Sequence, residues 1–237
     1  MSFASVPDQD PRDDLAFLRL HIEACWGPHP PALVPGEQTL LPGGTEPPWK
    51  VYLADTTPGR VVLWRPDVAV ERRETLLARA TASLACPPDS ALDPDVRREV
   101  VLRLAASPPD NIVPRDATIR RLTAADAPLF AAFDPDDPPY YVRAEIAPVL
   151  GVMVDGRLVS VAHSSRRTAR ACELGLETRP EVRRRGYGLA VTARWSMAVQ
   201  AEGLVPIYSA LAANTASLAL ARAAGYLRVA HAAYITA

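Results

Sequence analysis

Arg183, Arg184 and Arg185 stand directly ahead of Gly186-Tyr187-Gly188, and a helix-compatible run, YGLAVTARWSMAVQAEG, follows. Three guanidinium groups at the start of a helix face the positive end of its dipole and cost stability unless an anion joins them. A phosphate reverses the sign. Free N–H groups at the helix start point at it, glycines let the main chain approach, and arginines add charge-assisted hydrogen bonds. These residue types in this order therefore suit the holding of a phosphorylated ligand. The competing reading is a solvated charge run, and a short Gly/Arg pattern alone is weak. A Walker loop is excluded because it needs a lysine, and Lys50 is the only one in the chain. A Rossmann fingerprint is excluded because the glycine spacing is too short.

Proton-transfer chemistry has fewer candidates. Glu173 and Glu177 lie on the strand-like stretch RACELGLET, where either carboxylate could serve as a base or sit as a solvated or salt-bridged strand residue. Tyr208, Ser217 and Tyr187 carry hydroxyls. His163 titrates near neutrality if exposed, although a hydrogen-bonded structural histidine is the plainer reading. Cys25, Cys86 and Cys172 are odd in number, widely spaced and without a CxxC, which indicates neither a disulfide framework nor a zinc site. Arg166, Arg167 and Arg170 mark a basic hairpin tip that is solvated or attracts an acidic substrate.

The elements that must position these groups follow from local pattern. RDDLAFLRLHIEACW (12–26) has helical spacing with Asp13 or Asp14 able to cap it. WKVYLAD and RVVLWRP flank a TTPG turn as a hairpin. ERRETLLARATASL and DPDVRREVVLRLAA read as helices, the second with Asp93 capping and Val96, Val100 and Leu104 in a stripe. ASPPDNIVPRDA (106–117) is the best domain boundary, separating an accessory region, 1–110, from a second domain, 111–237. That second domain reads β-α-β-β-β-α-β-α-β. Its hairpin APVLGVMVDGRLVSVAHSS turns at Asp155-Gly156, Asp126 is expected to cap the first helix, and Gly225 closes the last one. FDPDDPPYY (133–141) is an acidic loop. Trp26, Trp49 and Trp64 are core residues or line one wall of a cleft.

At 237 residues with a net charge of −1, the chain has no global pull toward nucleic acid or an anionic membrane. Its longest uncharged run, 203–221, holds Pro206, Asn214, Thr215 and serines and is too polar to span a bilayer. The N-terminus carries Asp8, Asp10, Asp13 and Asp14 and no apolar run, so a cytoplasmic protein is expected.

Two motifs together resemble the GNAT superfamily of N-acetyltransferases. Arg183-Arg184-Arg185-Gly186-Tyr187-Gly188 matches R/Q-x-x-G-x-G/A, and ELGLETRPEV before it is similar to the family's lead-in. Asn214, Ser217, Leu220, Gly225 and Tyr226 match N-x-x-A/S-x-x-L-Y-x-x-x-G-F/Y. The resemblance covers roughly residues 117–237. It implies an α/β (α+β) fold whose mixed central sheet splays between its fourth and fifth strands, with acetyl-CoA as cosubstrate. It implies that Leu176, Glu177 and Thr178 pair with the pantetheine arm. It implies that Arg183, Arg184, Arg185, Gly186, Tyr187, Gly188 and Leu189 hold the diphosphate, and that Asn214 and Ser217 contact the cofactor from the other wall. The family's usual tyrosine acid falls at Ala221, so Tyr208, Ser217, Tyr187 or solvent must take that part. Glu173 or Glu177 is the candidate base. The acceptor is a small-molecule or peptide amine, and a homodimer is compatible with the sequence. The first 110 residues form an accessory region or a degenerate GNAT-like half without cofactor binding. The rival functions are a noncatalytic acyl-CoA binder, favoured by Ala221, and an interaction module without cofactor.

Overall fold

The computed structural model describes residues 11–44, 46–87, 90, 93–105 and 112–236. Helix α1 (Pro11–Trp26) buries Leu18 and Ile22, two of the positions that gave the segment its helical spacing. It begins at Pro11, ahead of Asp13 and Asp14. Strand β1 (Gln38–Leu40) pairs in parallel with β3 (Gly59–Trp64), which forms the expected hairpin with β2 (Val51–Thr56). Helix α2 (Val70–Ala85) then buries Leu76 and Ala80 on one face.

The next segment corrects the reading of DPDVRREVVLRLAA as a helix: it is strand β4 (Val96–Leu104). Val96, Val100 and Leu104 are four apart, and four is a multiple of the strand period as well as close to a helical turn. Burial on both faces from Arg98 to Leu102, in a valine-rich stretch, decides for extended backbone. The buried Arg98 guanidinium donates to the carbonyls of Ser83 (3.1 Å), Cys86 (2.6 Å) and Pro87 (2.9 Å). These carbonyls lie at or just beyond the C-terminal, negative end of α2. Beside Arg98, the Glu99 carboxylate accepts from the Tyr52 hydroxyl (2.7 Å) and meets His21 Nε2 at 3.0 Å.

The second half follows the expected order: β5 (Thr118–Leu122), α3 (Ala127–Phe133), β6 (Val149–Val154), β7 (Arg157–Arg167), β8 (Ala171–Thr178), α4 (Tyr187–Ala201), β9 (Val205–Leu211), α5 (Thr215–Ala223) and β10 (Tyr226–Ile235). Thr123, rather than Asp126, caps the turn ahead of α3, and Asp126 completes a capping box with it. At the β6–β7 turn Asp155 and Gly156 both have positive φ, 48° and 75°, as a type I′ hairpin requires. The loop 133–141 contains a short 3₁₀ turn, Pro138–Val142.

Contacts group the chain into two units: residues up to Glu99 with those from Val229 onward, and Val100–Arg228. The division falls inside β4 and β10; of the boundary stretch expected at 106–117, residues 106–111 lie outside the described residues. In the first unit the strand order is β1-β3-β2-β10, with Trp49 and Trp64 fully buried and Trp26 packed edge-on to Trp49, Tyr52 and Tyr234. In the second unit the order is β9-β8-β7-β6-β5, antiparallel from β5 to β8 and parallel between β8 and β9. This is the open mixed sheet of an α/β fold. Its core gathers Trp195, Val191, Tyr208 and Tyr226 with Val100 and Leu102. On α4 Thr192 and Ser196 are buried, and the Ser196 hydroxyl bonds that of Tyr226 at 2.7 Å.

Candidate active site

The fourth and fifth strands of the second unit separate. β8 and β9 pair only from Ala171↔Val205 to Glu173↔Ile207, yet β8 runs on to Thr178 and β9 to Leu211. Between them lies a cleft of about 940 Å³, walled by Leu174, Leu176 and Thr178 on one side and by Tyr208, Ser209 and Ala210 on the other. The strand edges that face it have main-chain groups available to an extended ligand.

One end of the cleft is the Arg-Gly turn. Arg184 (φ 64°) and Gly186 (φ 86°) are both left-handed, and Gly186 caps α4 with no side-chain acceptor for the amides that follow. The first intrahelical bond runs from Ala190 N–H to Gly186 O, so the amides of Tyr187, Gly188 and Leu189 are the orphan donors of the helix start. Arg183 donates to the Thr178 carbonyl at 3.2 Å, and Arg185 bonds the Tyr187 hydroxyl, which donates to Asp116 at 2.6 Å. Among the described residues none of these three arginines ion-pairs with a carboxylate. Arg60, Arg65, Arg79, Arg120, Arg121, Arg166 and Arg167 all do. Gly188 packs closely: a Cβ there would sit 3.1 Å from Leu220 Cδ1 and 3.2 Å from Thr178 Oγ1, and those side chains would have to give by a few tenths of an ångström.

Of the expected cofactor residues, Leu176, Glu177, Thr178, Arg183, Arg184, Gly186, Tyr187, Gly188, Leu189, Asn214 and Ser217 all line the cleft; Arg185 does not. Asn214 also caps α5, its side chain accepting from Ser217 N–H at 3.1 Å. Ala221 is fully buried in α5. Tyr208 reaches Ser217 instead: its hydroxyl lies 2.8 Å from Ser217 Oγ and 3.2 Å from the Ser217 carbonyl. Burial pushes the Tyr208 hydroxyl above the ordinary tyrosine range, so it stays protonated at neutral pH.

The two glutamates, four residues apart on β8, share a face of the strand but have different surroundings. Glu173 is buried, ion-paired with Arg166 at 3.2 Å and bonded by the Ser209 hydroxyl, and it is not among the cleft's lining residues. Glu177 lines the cleft and accepts from the Tyr141 hydroxyl. Nothing in the sequence linked Tyr141 to Glu177; the pair arises because the 3₁₀ turn packs beside β7. Between them lies His163, whose ring faces Gly175 so closely that a Cβ there would meet it at 2.3 Å. Its Nε2 is 3.0 Å from the Tyr140 hydroxyl, and burial pushes its pKa down to about 4. It is a neutral structural residue. The basic hairpin tip is engaged as well, Arg166 with Glu173 and Arg167 with Glu202. Trp26, Trp49 and Trp64 are not among the lining residues.

Residues 150–234 match the family model of the GNAT acetyltransferases. No curated protein matches the chain. Among solved structures, a GNAT-family acetyltransferase from Colwellia psychrerythraea aligns with TM-score 0.51 at 11% identity, covering 78% of this chain and 63% of that one. A GNAT-family protein from Novosphingobium aromaticivorans is 24% identical, with TM-score 0.47 over 62% of this chain and 70% of that one. An N-acetyltransferase-like protein from Streptococcus suis is 15% identical, with TM-score 0.48 over 86% and 82%. The segment 150–234, which carries the splayed strands, the Arg-Gly turn and α5, is thus similar to the GNAT acetyltransferases, and the chain shares the fold of the Colwellia psychrerythraea structure.

Proposed function

We propose that the protein is an acetyl-CoA-dependent N-acetyltransferase that moves an acetyl group to a primary amine. The observation that carries this reading is the left-handed Arg184–Gly186 turn, where uncapped amides and arginines without carboxylate partners open into the cleft between β8 and β9. A diphosphate there would satisfy the orphan N–H groups and reverse the unfavourable meeting of cations and helix dipole. Leu176 and Thr178 would offer strand edge to the pantetheine arm, and Asn214 and Ser217 would close the opposite wall. When bound, the cosubstrate supplies an activated acetyl thioester.

The chain's own groups suit the rest. Glu177, exposed in the cleft and oriented by Tyr141, accepts the proton shed as the amine nitrogen bonds to the carbonyl carbon. The carbon–sulfur bond breaks, and the Tyr208 hydroxyl gives its proton to the departing sulfur. Alignment in the cleft and backbone donors supply much of the remaining acceleration. A panel of primary amines with acetyl-CoA tests this: free CoA should appear only with a suitable amine. Tight binding of acetyl-CoA without turnover for any amine would instead support a noncatalytic binder, the reading that Ala221 favours. No binding at all would leave an interaction module.

A further inference from the structure

The two strands that bound the cleft present different atoms on their two faces. Successive side chains along a strand alternate in direction. Leu174, Leu176 and Tyr208 belong to the face packed on α4, and Glu173, Gly175 and Glu177 to the other, where the His163 ring covers Gly175. Ser209 joins this second face from β9: it lines the cleft, and its hydroxyl donates to Glu173 Oε1. The strands part beyond the Glu173↔Ile207 pair, so Glu177 on β8 and Ser209 on β9 border one opening from opposite strands.

What sets Ser209 apart is the direction of its single hydrogen. A hydroxyl has one hydrogen to give and two lone pairs. Here the hydrogen goes to a carboxylate that is itself fixed: Glu173 is 7% exposed, and its Oε2 meets Arg166 at 3.2 Å and the Ser165 hydroxyl at 3.4 Å. A carboxylate paired with a guanidinium only accepts. The half-buried Ser209 therefore keeps its hydrogen on Glu173 and has only lone pairs for a ligand, and among the described residues no donor meets them. Glu177 offers acceptors as well, since the Tyr141 hydroxyl occupies one of several lone-pair directions of its carboxylate. Tyr141 is held in place by Phe130, stacked at 5.2 Å, and by Phe133, edge-on at 6.1 Å.

We infer that Ser209 selects a primary amine as acceptor: the attacking nitrogen, whose lone pair points at the carbonyl carbon, directs one hydrogen to Glu177 and the other to Ser209 Oγ. The inference rests on the acetyl-transfer reading and deepens it. As the nitrogen–carbon bond forms and the carbon–sulfur bond breaks, the hydrogen facing Glu177 leaves as a proton and Tyr208 gives one to the sulfur. The hydrogen on Ser209 Oγ stays behind as the N–H of the product amide. A secondary amine or a hydroxyl group has only one hydrogen beside its attacking lone pair. Glu177 takes that one, and Ser209 Oγ is left without a donor in a cleft the ligand has desolvated.

The test sets propylamine against N-methylpropylamine at saturating acetyl-CoA, with CoA release as the readout. Propylamine should have the higher kcat/KM, by on the order of tenfold. Ser209→Ala should lower that ratio several-fold by slowing propylamine, with acetyl-CoA affinity, read by calorimetry, retained. Glu173→Gln, whose amide donates as well as accepts and no longer dictates where the Ser209 hydrogen points, should lower it in the same sense. A ratio near one in the parent protein, a ratio unmoved in both variants, or one lowered only through faster turnover of N-methylpropylamine would overturn this inference and leave acetyl transfer in place. Turnover of neither amine by protein that binds acetyl-CoA would overturn the transferase reading and this inference with it.

Discussion

Single residues divide the work of the cleft, and local geometry sets each role. Gly186 occupies φ 86°, where a side chain costs about 1–2 kcal/mol, so Gly186→Ala should lower unfolding stability by roughly that amount. It should also weaken acetyl-CoA binding; denaturant titration and calorimetry read the two effects separately. Tyr208 is held by Ser217 on one side and by burial on all others, which keeps its proton available. Tyr208→Phe preserves that packing and removes the donor. We expect kcat to fall on the order of 10² with little change in KM for acetyl-CoA, measured by CoA release. An unchanged kcat would pass the acid role to Ser217 or to solvent. Glu173 and Glu177 are chemically identical in the sequence and diverge only because Arg166 and Ser209 enclose the first, while β9 has separated from β8 beside the second.

At the scale of elements, what was legible depended on whether the deciding interactions were local. Asp155-Gly156 specifies its hairpin because the turn needs two positive φ values and those two residues tolerate them. The Arg-Gly turn and α4 were legible for the same reason. β4 was not: its valine spacing fits both periods, and burial of both faces is a tertiary fact. The Tyr141–Glu177 bond joins residues 36 apart, and no periodicity encodes it. The packing of β7 on β8 around His163 and Gly175 yields a pH prediction. The imidazole has a folded pKa of about 4 against 6.5 in a model peptide, so the unfolded chain binds the extra proton between those values. Stability from this group is complete above about pH 6.5 and is lost as pH falls toward 4, by about 3 kcal/mol. His163→Gln should flatten the stability–pH curve in that window, and a slope equal to that of the parent protein would refute the assignment.

Across the second unit the cleft carries both signs of charge, Arg179, Arg183 and Arg184 together with Asp134 and Glu177, although the whole chain is nearly neutral. Net charge therefore said nothing of the site, and only the order of residues did. No helix among the described residues is long and apolar enough to cross a membrane. The first unit has its own core of Val51, Leu53, Trp64 and Ala233, and the Arg-Gly motif has no counterpart in its sequence. Binding to the folded cleft should also stabilise the protein, by about 2.7 kcal/mol at a hundredfold excess of acetyl-CoA over its Kd.

The structure of the acetyl-CoA complex is the most direct measurement. It should place the diphosphate oxygens about 2.9 Å from the amides of Tyr187, Gly188 and Leu189, flanked by Arg183 and Arg184. A complex with that helix start vacant, or with the Asp116 carboxylate swung into it and the ligand bound elsewhere, would contradict the account.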